Sequence, residues 1–459
     1  MPPRFAPPDS PSRPLYVVAK DALPDWLSMQ PEAVRAWISA TGFAAGLGET
    51  VLIPGGAGVM GAVTGYGTEQ TRARGRFHLA RAAAALPGGD WHLEAELEPA
   101  ERNEAALGWL LGQYRFDRYH EGKAPAARLK APEGCDSARL EVIAAGECLT
   151  RDLINTPASD LGPQELEEAF LALARHHGAA TMVVRGDDLL TQNFPMIHAV
   201  GRASARAPRL LDMRWGGRGP TLTLVGKGVC FDTGGLDLKP SAGMHLMKKD
   251  MGGAATTMGL AQMIMSLNIP VRLRLLVPAV ENAVSGNAMR PRDILKSRSG
   301  MTVEVNDTDA EGRLILGDTL TFAQEEAPDL LISMATLTGS ARVAVGPDLA
   351  PYYTDDAAIA SALEQGAAEV RDPVWRLPFW TPYEPMIEPG IADLDNSPMG
   401  PMAGSITAAL FLRRFAGAGR YLHFDIYGHQ PADAPARPKG GVGQGARAVL
   451  QALPEMLGV

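Results

Sequence analysis

The chain has little cysteine: three residues in 459, Cys135, Cys148 and Cys230. They are too few and too scattered for a disulfide framework or a thiolate zinc knuckle, which points to a reducing compartment, the cytoplasm. No stretch reaches about 18 uninterrupted apolar residues, and the proline-rich opening, Met1 to Pro11, lacks the apolar run of a signal peptide. No membrane span and no export are therefore expected. Basic residues are outnumbered, 43 against 52, and the net charge of −9 repels a phosphate backbone, so nucleic acid is disfavoured as a partner. Aromatic residues make up only 6%, but 46% hydrophobic and 21% charged residues fit a folded globular chain rather than a disordered or fibrous one.

Several catalytic signatures are missing too. The nine histidines contain no His-Glu-x-x-His, which leaves a single-zinc peptidase of that type unsupported. There is no Gly-x-Ser-x-Gly elbow, and Cys230 has no local partner that suggests a thiol protease. A phosphate-binding loop fails around Lys227, which is followed by Gly228 where Ser or Thr is required, while Thr221 stands where the first glycine belongs.

What the chain has in quantity is glycine, 50 residues, and proline, 36. Its length gives a soft prior of two or three domains. The first 20 residues read as an irregular arm. A modest α/β region follows, with helical spacing over 31–41, strands at 50–53 and 91–97, and an alanine-rich helix over 78–86. A helix is expected over 101–116, and another over 137–154, where the domain linkage is placed; it stops before Asn155-Thr156-Pro157. After a helix over 163–177, short apolar strands at 181–184, 211–213, 222–225, 271–277, 301–305 and 330–335 alternate with helical segments. This is the pattern of a mostly parallel, helix-covered central sheet. The expected fold class is α/β: a small N-terminal α/β domain, 1–140, and a larger C-terminal α/β catalytic domain, 141–459. The Pro/Gly-dense segment 389–404 reads as a structured loop before a helix over 406–415.

Three clusters carry the chemistry. In the first, the apolar run ending at Val225 leads into a glycine-rich loop bearing Lys227, Asp232, Asp237 and Lys239, at the strand end where ligands of α/β sheets bind. In the second, Asp250 precedes a nearly uncharged segment, 252–267, that must be a buried helix; capping of that helix would by itself explain the aspartate. In the third, an apolar strand delivers Asp307, Asp309 and Glu311, then Arg313. Converging carboxylates repel unless protonated, paired or metal-bound, and metal is the simplest resolution. Spacing alone leaves open a solvent-facing acidic turn. Oxygen ligands of this kind suit Mg, Mn or Zn, and a pair of such ions would activate a water and clamp a developing oxyanion.

In these segments the chain resembles the leucine aminopeptidase family of two-metal cytosolic enzymes. The likeness covers roughly 101–459 and rests on Arg151-Asp-Leu-Ile-Asn-Thr-Pro157, the segments 227–240 and 247–255, Ser285 to Asp293, Asp309-Ala-Glu-Gly-Arg-Leu314 and Ala335-Thr-Leu-Thr-Gly339. The resemblance implies one metal held by Asp232, Asp309 and Glu311, with the Asp309 carbonyl also available, and a second held by Lys227, Asp232, Asp250 and Glu311. It implies that Lys239 polarises the scissile carbonyl and that Arg313 holds a bicarbonate accepting the proton of a metal-bridging water. The free amine of the peptide would sit on the second metal and against Asp250. Met247, Thr336 and Gly339 would line the pocket for the first side chain, with the Leu337 carbonyl receiving a nitrogen. An apolar pocket discriminates weakly among aliphatic side chains, so leucine is an example rather than a rule. Homohexamers are the family's assembly. One departure stands out: Asp307 replaces the family's Asn. The resemblance also admits a DNA-binding or otherwise non-catalytic member of the same fold, and the ligand set alone would equally support a two-metal hydrolase of another amide or a phosphate substrate.

Overall fold

The fold is described from a computed structural model for residues 3–56, 58–122 and 126–459. Two compact units emerge: Met1–Cys148 with Ala432–Lys439, and Leu149–Pro431 with Gly440–Val459. The division falls inside the helix Ser137–Asn155. The return of 432–439 to the first unit leaves no signature in the local sequence pattern.

The first unit is built on β1 (Arg13–Ala19), β2 (Thr50–Gly55), β3 (Gly58–Gly67), β4 (Gly89–Glu94) and β5 (Ala127–Leu129), in the order β2-β3-β1-β4-β5. The expectation of an irregular arm over the first 20 residues is therefore wrong at its end. β1 is the middle strand, parallel to both β3 and β4, with Leu15 and Val18 buried. Proline density before Pro14 masked the β-branched run behind it; a proline at a strand's beginning removes no interior bond. The turn between β2 and β3 contains residue 57, which lies outside the described residues.

The second unit carries a nine-stranded sheet. Its strands are β6 (Ala180–Arg185), β7 (Arg209–Trp215), β8 (Thr221–Gly226), β9 (Gly228–Asp232) and β10 (Arg272–Asn282). Two short strands, β11 (Ile294–Lys296) and β12 (Thr302–Glu304), precede β13 (Leu330–Ala335), β14 (Ala350–Tyr353), β15 (Val374–Leu377), β16 (Leu394–Asp395) and β17 (Tyr421–Asp425). The large sheet runs β15-β14-β17-β13-β8-β10-β7-β6, with β9 also on β10. Its centre, β17, β13, β8 and β10, is parallel, and reversals occur toward the edges at β14, β7 and β6. The mostly parallel α/β fold is thus what forms. The strand expected over 301–305 is not part of this sheet: β12 is only three residues long and joins β11 and β16 in a separate sheet.

Two features aim the chain at one place. β8 and β9 run along β10 with Lys227 as the single residue between them, so the glycine-rich loop begins after Asp232, later than the sequence suggested. The Lys227 backbone is pinned on both sides, its N–H donating to Met334 O and its carbonyl accepting from Ala254 N–H. The helix Gly252–Ser266 is buried over nearly its whole length, as its lack of a polar face demands. It reaches β13 because Gly253 has no side chain: a Cβ there would lie 2.1 Å from the Met334 carbonyl oxygen. The helix anticipated over 406–415 forms at Gly404–Arg413.

Candidate active site

The side chains singled out above meet at the carboxyl ends of β9, β13 and β17. Asp232 closes β9, Lys239 follows on the loop, and Asp250 lies in the 3₁₀ turn Met247–Met251. Asp309 ends the loop after β12, while Glu311 and Arg313 occupy the first turn of the helix Glu311–Gln324. Thr336 and Leu337 follow β13, and Gly339 begins the helix Gly339–Val345. Most of these residues line one cleft of about 430 Å³, from Lys227 and Asp232 to Met247, Arg313, Thr336, Leu337 and Gly339.

One oxygen each of Asp232, Asp309 and Glu311 lies within 4.8 Å of the others. Glu311 is 1% exposed and Asp232 2%. Two lysines interleave with these acids. Lys227 Nζ is 2.6 Å from Asp250 Oδ2 and 3.0 Å from Glu311 Oε1, and it donates to the Thr336 carbonyl at 3.0 Å. Lys239 Nζ is 2.8 Å from Asp232 Oδ2 and 2.5 Å from Asp309 Oδ1. Room for Lys227 depends on Gly312, where a Cβ would stand 2.4 Å from Lys227 Cε.

The neighbours fix these groups further. Asp232 Oδ1 accepts from Gly234 N–H and Asn282 Nδ2, both at 2.9 Å. Asn282 also donates to the Thr308 carbonyl at 3.0 Å, and the Thr308 hydroxyl donates to Gly234 O at 2.6 Å. Asp250 does not cap the following helix, as its position had suggested; the N-cap is Met251, without a side-chain bond. Instead, Asp250 Oδ1 accepts from the Thr336 hydroxyl at 2.9 Å. Asp307 Oδ1 accepts from Asp309 N–H at 2.8 Å, a bond that an Asn side-chain oxygen could also accept.

The charges respond to burial and to one another. Burial, then repulsion from Asp232, pushes Asp309 up to about 7 and holds Glu311 well above the ordinary carboxylate range. For Asp250, burial raises the value, but the charges of Lys227, Lys249 and Lys239 together outweigh it, so the carboxyl stays below its usual range. Burial lowers Lys227 and Lys239, yet the facing carboxylates win and both are raised. Lys249, buried beside the cluster, is lowered by burial to about 8. Beyond the lysines, Asp250 Oδ2, Asp309 Oδ1 and Glu311 Oε1 meet no hydrogen-bond donor. Four acids around two lysines, with three buried oxygens short of partners, form a donor set that divalent cations fit. Arg313 is buried and gives one N–H to Asn396 O at 2.5 Å, while its Nε has no partner.

Sequence reasoning missed Asn282, Thr308 and Asn396, whose isolated amides and hydroxyl carry no local signal. It also missed Asp425, 1% exposed at the end of β17. Its Oδ1 accepts from Leu337 N–H at 3.1 Å and Thr338 N–H at 3.0 Å, and its Oδ2 from the hydroxyls of Thr338 at 2.6 Å and Ser405 at 2.8 Å. One carboxylate therefore sets the loop that carries Leu337 into the cleft.

A carboxylate-rich cluster at the carboxyl ends of a parallel sheet defines a metal-dependent enzyme of α/β architecture. Residues 148–450 match the catalytic domain of the cytosol aminopeptidase family, and residues 13–132 match the N-terminal domain of the M17 aminopeptidases. A "Probable cytosol aminopeptidase" of Roseiflexus castenholzii is 40% identical over 365 residues, covering 75% of each chain. The crystal structure of the cytosol aminopeptidase from Coxiella burnetii superposes with a TM-score of 0.93 at 41% identity over 98% of both chains. The bottromycin maturation enzyme BotP, solved in complex with Mn, superposes at 0.87 with 31% identity, over 97% of this chain and 99% of that one. The chain belongs to the cytosol, or leucine, aminopeptidase family and is a metal-dependent aminopeptidase.

Proposed function

We propose that the chain removes the first residue, leucine among others, from peptides with a free N-terminus, using a pair of divalent ions. The carrying observation is the cluster of buried Asp232, Asp250 and Glu311 with half-buried Asp309 around Lys227 and Lys239, with Arg313 lining the same cleft. Asp232, Asp309 and Glu311 would hold one ion, and Lys227, Asp232, Asp250 and Glu311 the other. Mn, Zn or Mg suits such donors, and BotP's Mn complex supports Mn among them. When bound, the ions would lower the pKa of an attacking water and lend Lewis acidity at the scissile carbonyl.

The chain's own residues do the rest. Asp250, held by Thr336, presents a carboxylate to the peptide's ammonium group, and an internal amide has no such group to offer. Lys239 brings positive charge to the oxygen of the tetrahedral species. The unpartnered Nε of buried Arg313 favours a small anion, and bicarbonate there would accept a proton. Met247, Thr336 and Gly339 flank the first side chain, and the Leu337 carbonyl, positioned through Asp425, accepts a hydrogen bond from a substrate nitrogen.

Among the described residues no helix is long and apolar enough to cross a membrane. The relatives' name, cytosol aminopeptidase, supports a cytoplasmic place of action. The resemblance supports a homohexamer, as do exposed apolar side chains between Trp375 and Met402. Release of leucine from leucine amide tests the reading: chelator abolishes it, Mn or Zn restores it, and Lys239→Ala and Arg313→Ala depress it. No release by metal-loaded protein, with both variants indistinguishable from the parent, would sink it.

A further inference from the structure

Two further cations in the cleft form no ion pair with the carboxylate cluster, although the Lys249 charge helps to hold the neighbouring Asp250 carboxyl low. Lys249 precedes Asp250 in the 3₁₀ turn and is only 7% exposed, and Arg342 projects from the helix Gly339–Val345. They flank one aromatic ring, that of Tyr427: Lys249 Nζ lies 5.3 Å from its centroid and the Arg342 guanidinium carbon 4.9 Å. All three line the cleft. Whereas Lys227 and Lys239 each meet two carboxylates, neither Lys249 nor Arg342 has a carboxylate oxygen within 4.0 Å among the described residues.

Their place is beside the residues assigned above to the first side chain. A Cβ on Gly339 would meet a single atom within 4 Å, Arg342 Nη2 at 4.0 Å, so that side of Gly339 is open and faces the guanidinium. A Cβ on Gly428 would lie 3.1 Å from Thr336 Cγ2 and 3.8 Å from the Lys249 carbonyl oxygen, which makes Thr336, Lys249 and the Tyr427–Gly428 backbone neighbours. Met247 supplies an apolar surface to the same cleft. The pocket is therefore two-faced, with a thioether on one part and two cations around a ring on another.

A buried ammonium with no carboxylate directly paired to it is unfavourable, and a carboxylate brought to it forms a charge-assisted hydrogen bond, with the exposed Arg342 adding a second positive charge at the mouth. The ring holds both cations through their attraction to its face without neutralising them. We infer that this pocket accepts a carboxylate, and that the enzyme's substrates include peptides whose first residue is glutamate or aspartate. The inference rests on the aminopeptidase reading above and extends it from aliphatic to acidic first residues. A site built to pair with a charged group discriminates far more strongly than an apolar one.

The test compares kcat/KM for the p-nitroanilides of glutamate and leucine, which carry no carboxylate other than the glutamate side chain. Expected is measurable turnover of the glutamyl substrate, with a glutamyl-to-leucyl ratio that falls at least about tenfold in Lys249→Met, less in Arg342→Met, and is largely kept in Lys249→Arg. A ratio unchanged in Lys249→Met overturns the inference. So does a defect of that variant confined to Leu-Gly relative to Leu-Gly amide, which would show that the cations read a dipeptide's terminal carboxylate. Failure of the parent enzyme on every substrate would instead bring down the aminopeptidase reading itself.

Discussion

The two units of the chain both place parallel strands at the middle of a sheet, but the second, besides buried acids paired with arginine such as Asp212 with Arg274, also gathers acids against one another at its strand ends. In the first, Asp90 of β4 is bonded by Arg128 at 2.8 and 3.1 Å, and hydrogen bonds, from Ser10 foremost and from Arg128, hold its carboxyl below the usual range. In the second, acids crowd together at the strand ends until Asp309 and Glu311 are driven well above that range. A buried acid with its own partner serves the fold. Acids gathered in a cleft so that they repel one another serve something that is brought to them.

This contrast can be broken by removing one acid from each place. Glu311→Gln should lower kcat/KM for leucine amide by at least about 10³-fold, since it takes a donor from both proposed ions. The metal-free variant should melt close to the parent, because repulsion is relieved as the contact with Lys227 is weakened. A variant that keeps its activity would remove the cluster from the reaction. Asp425→Asn probes an intermediate case, a saturated acid that acts through a loop. Replacing one oxygen by an NH₂ group turns an acceptor into a donor against two hydroxyls or two amides, and kcat/KM should fall by about 10–100-fold through displacement of Leu337 and Thr338. An unchanged rate would mean that the loop is held without it. The smallest effect belongs to the first unit: Asp90→Asn should cost about 1–2 kcal/mol of stability and leave turnover per folded molecule unchanged. A loss of turnover without loss of stability would contradict the division of labour.

Much of this was legible in advance, for identifiable reasons. The helix Pro163–His177 and strand Leu330–Ala335 were readable to the residue because periodicity, proline position and β-branched runs agree locally. So was the burial of the helix Gly252–Ser266, whose composition offers no polar face. β1 was lost behind prolines, and the separate sheet of β11, β12 and β16 could not be foreseen because strand partners as far apart as Val303 and Leu394 leave no local trace. The residues singled out as Lys227, Asp232, Lys239, Asp250, Asp309, Glu311 and Arg313 lie at one cleft, and motif density had marked them. Asp425, Lys249, Arg342 and Tyr427 had no such marking; an aspartate after an apolar strand or a lysine beside another lysine reads as ordinary until the fold shows what it faces. The abundance of glycine acquires meaning only where Gly253 and Gly312 let backbone and lysine approach.

The most direct test of the central claim, that this acid cluster exists to bind catalytic cations, is Mn binding by equilibrium dialysis at pH 6 and pH 8, with leucine release measured on the same samples. Asp309 is raised to about 7, foremost by burial, so its proton is held at pH 6 and shed at pH 8. Metal must displace that proton together with those held on Glu311 and Lys227, hence affinity should rise by at least about tenfold from pH 6 to pH 8, with release following occupancy. Leucine release by metal-stripped protein, or release that ignores how much Mn is bound, would contradict the account.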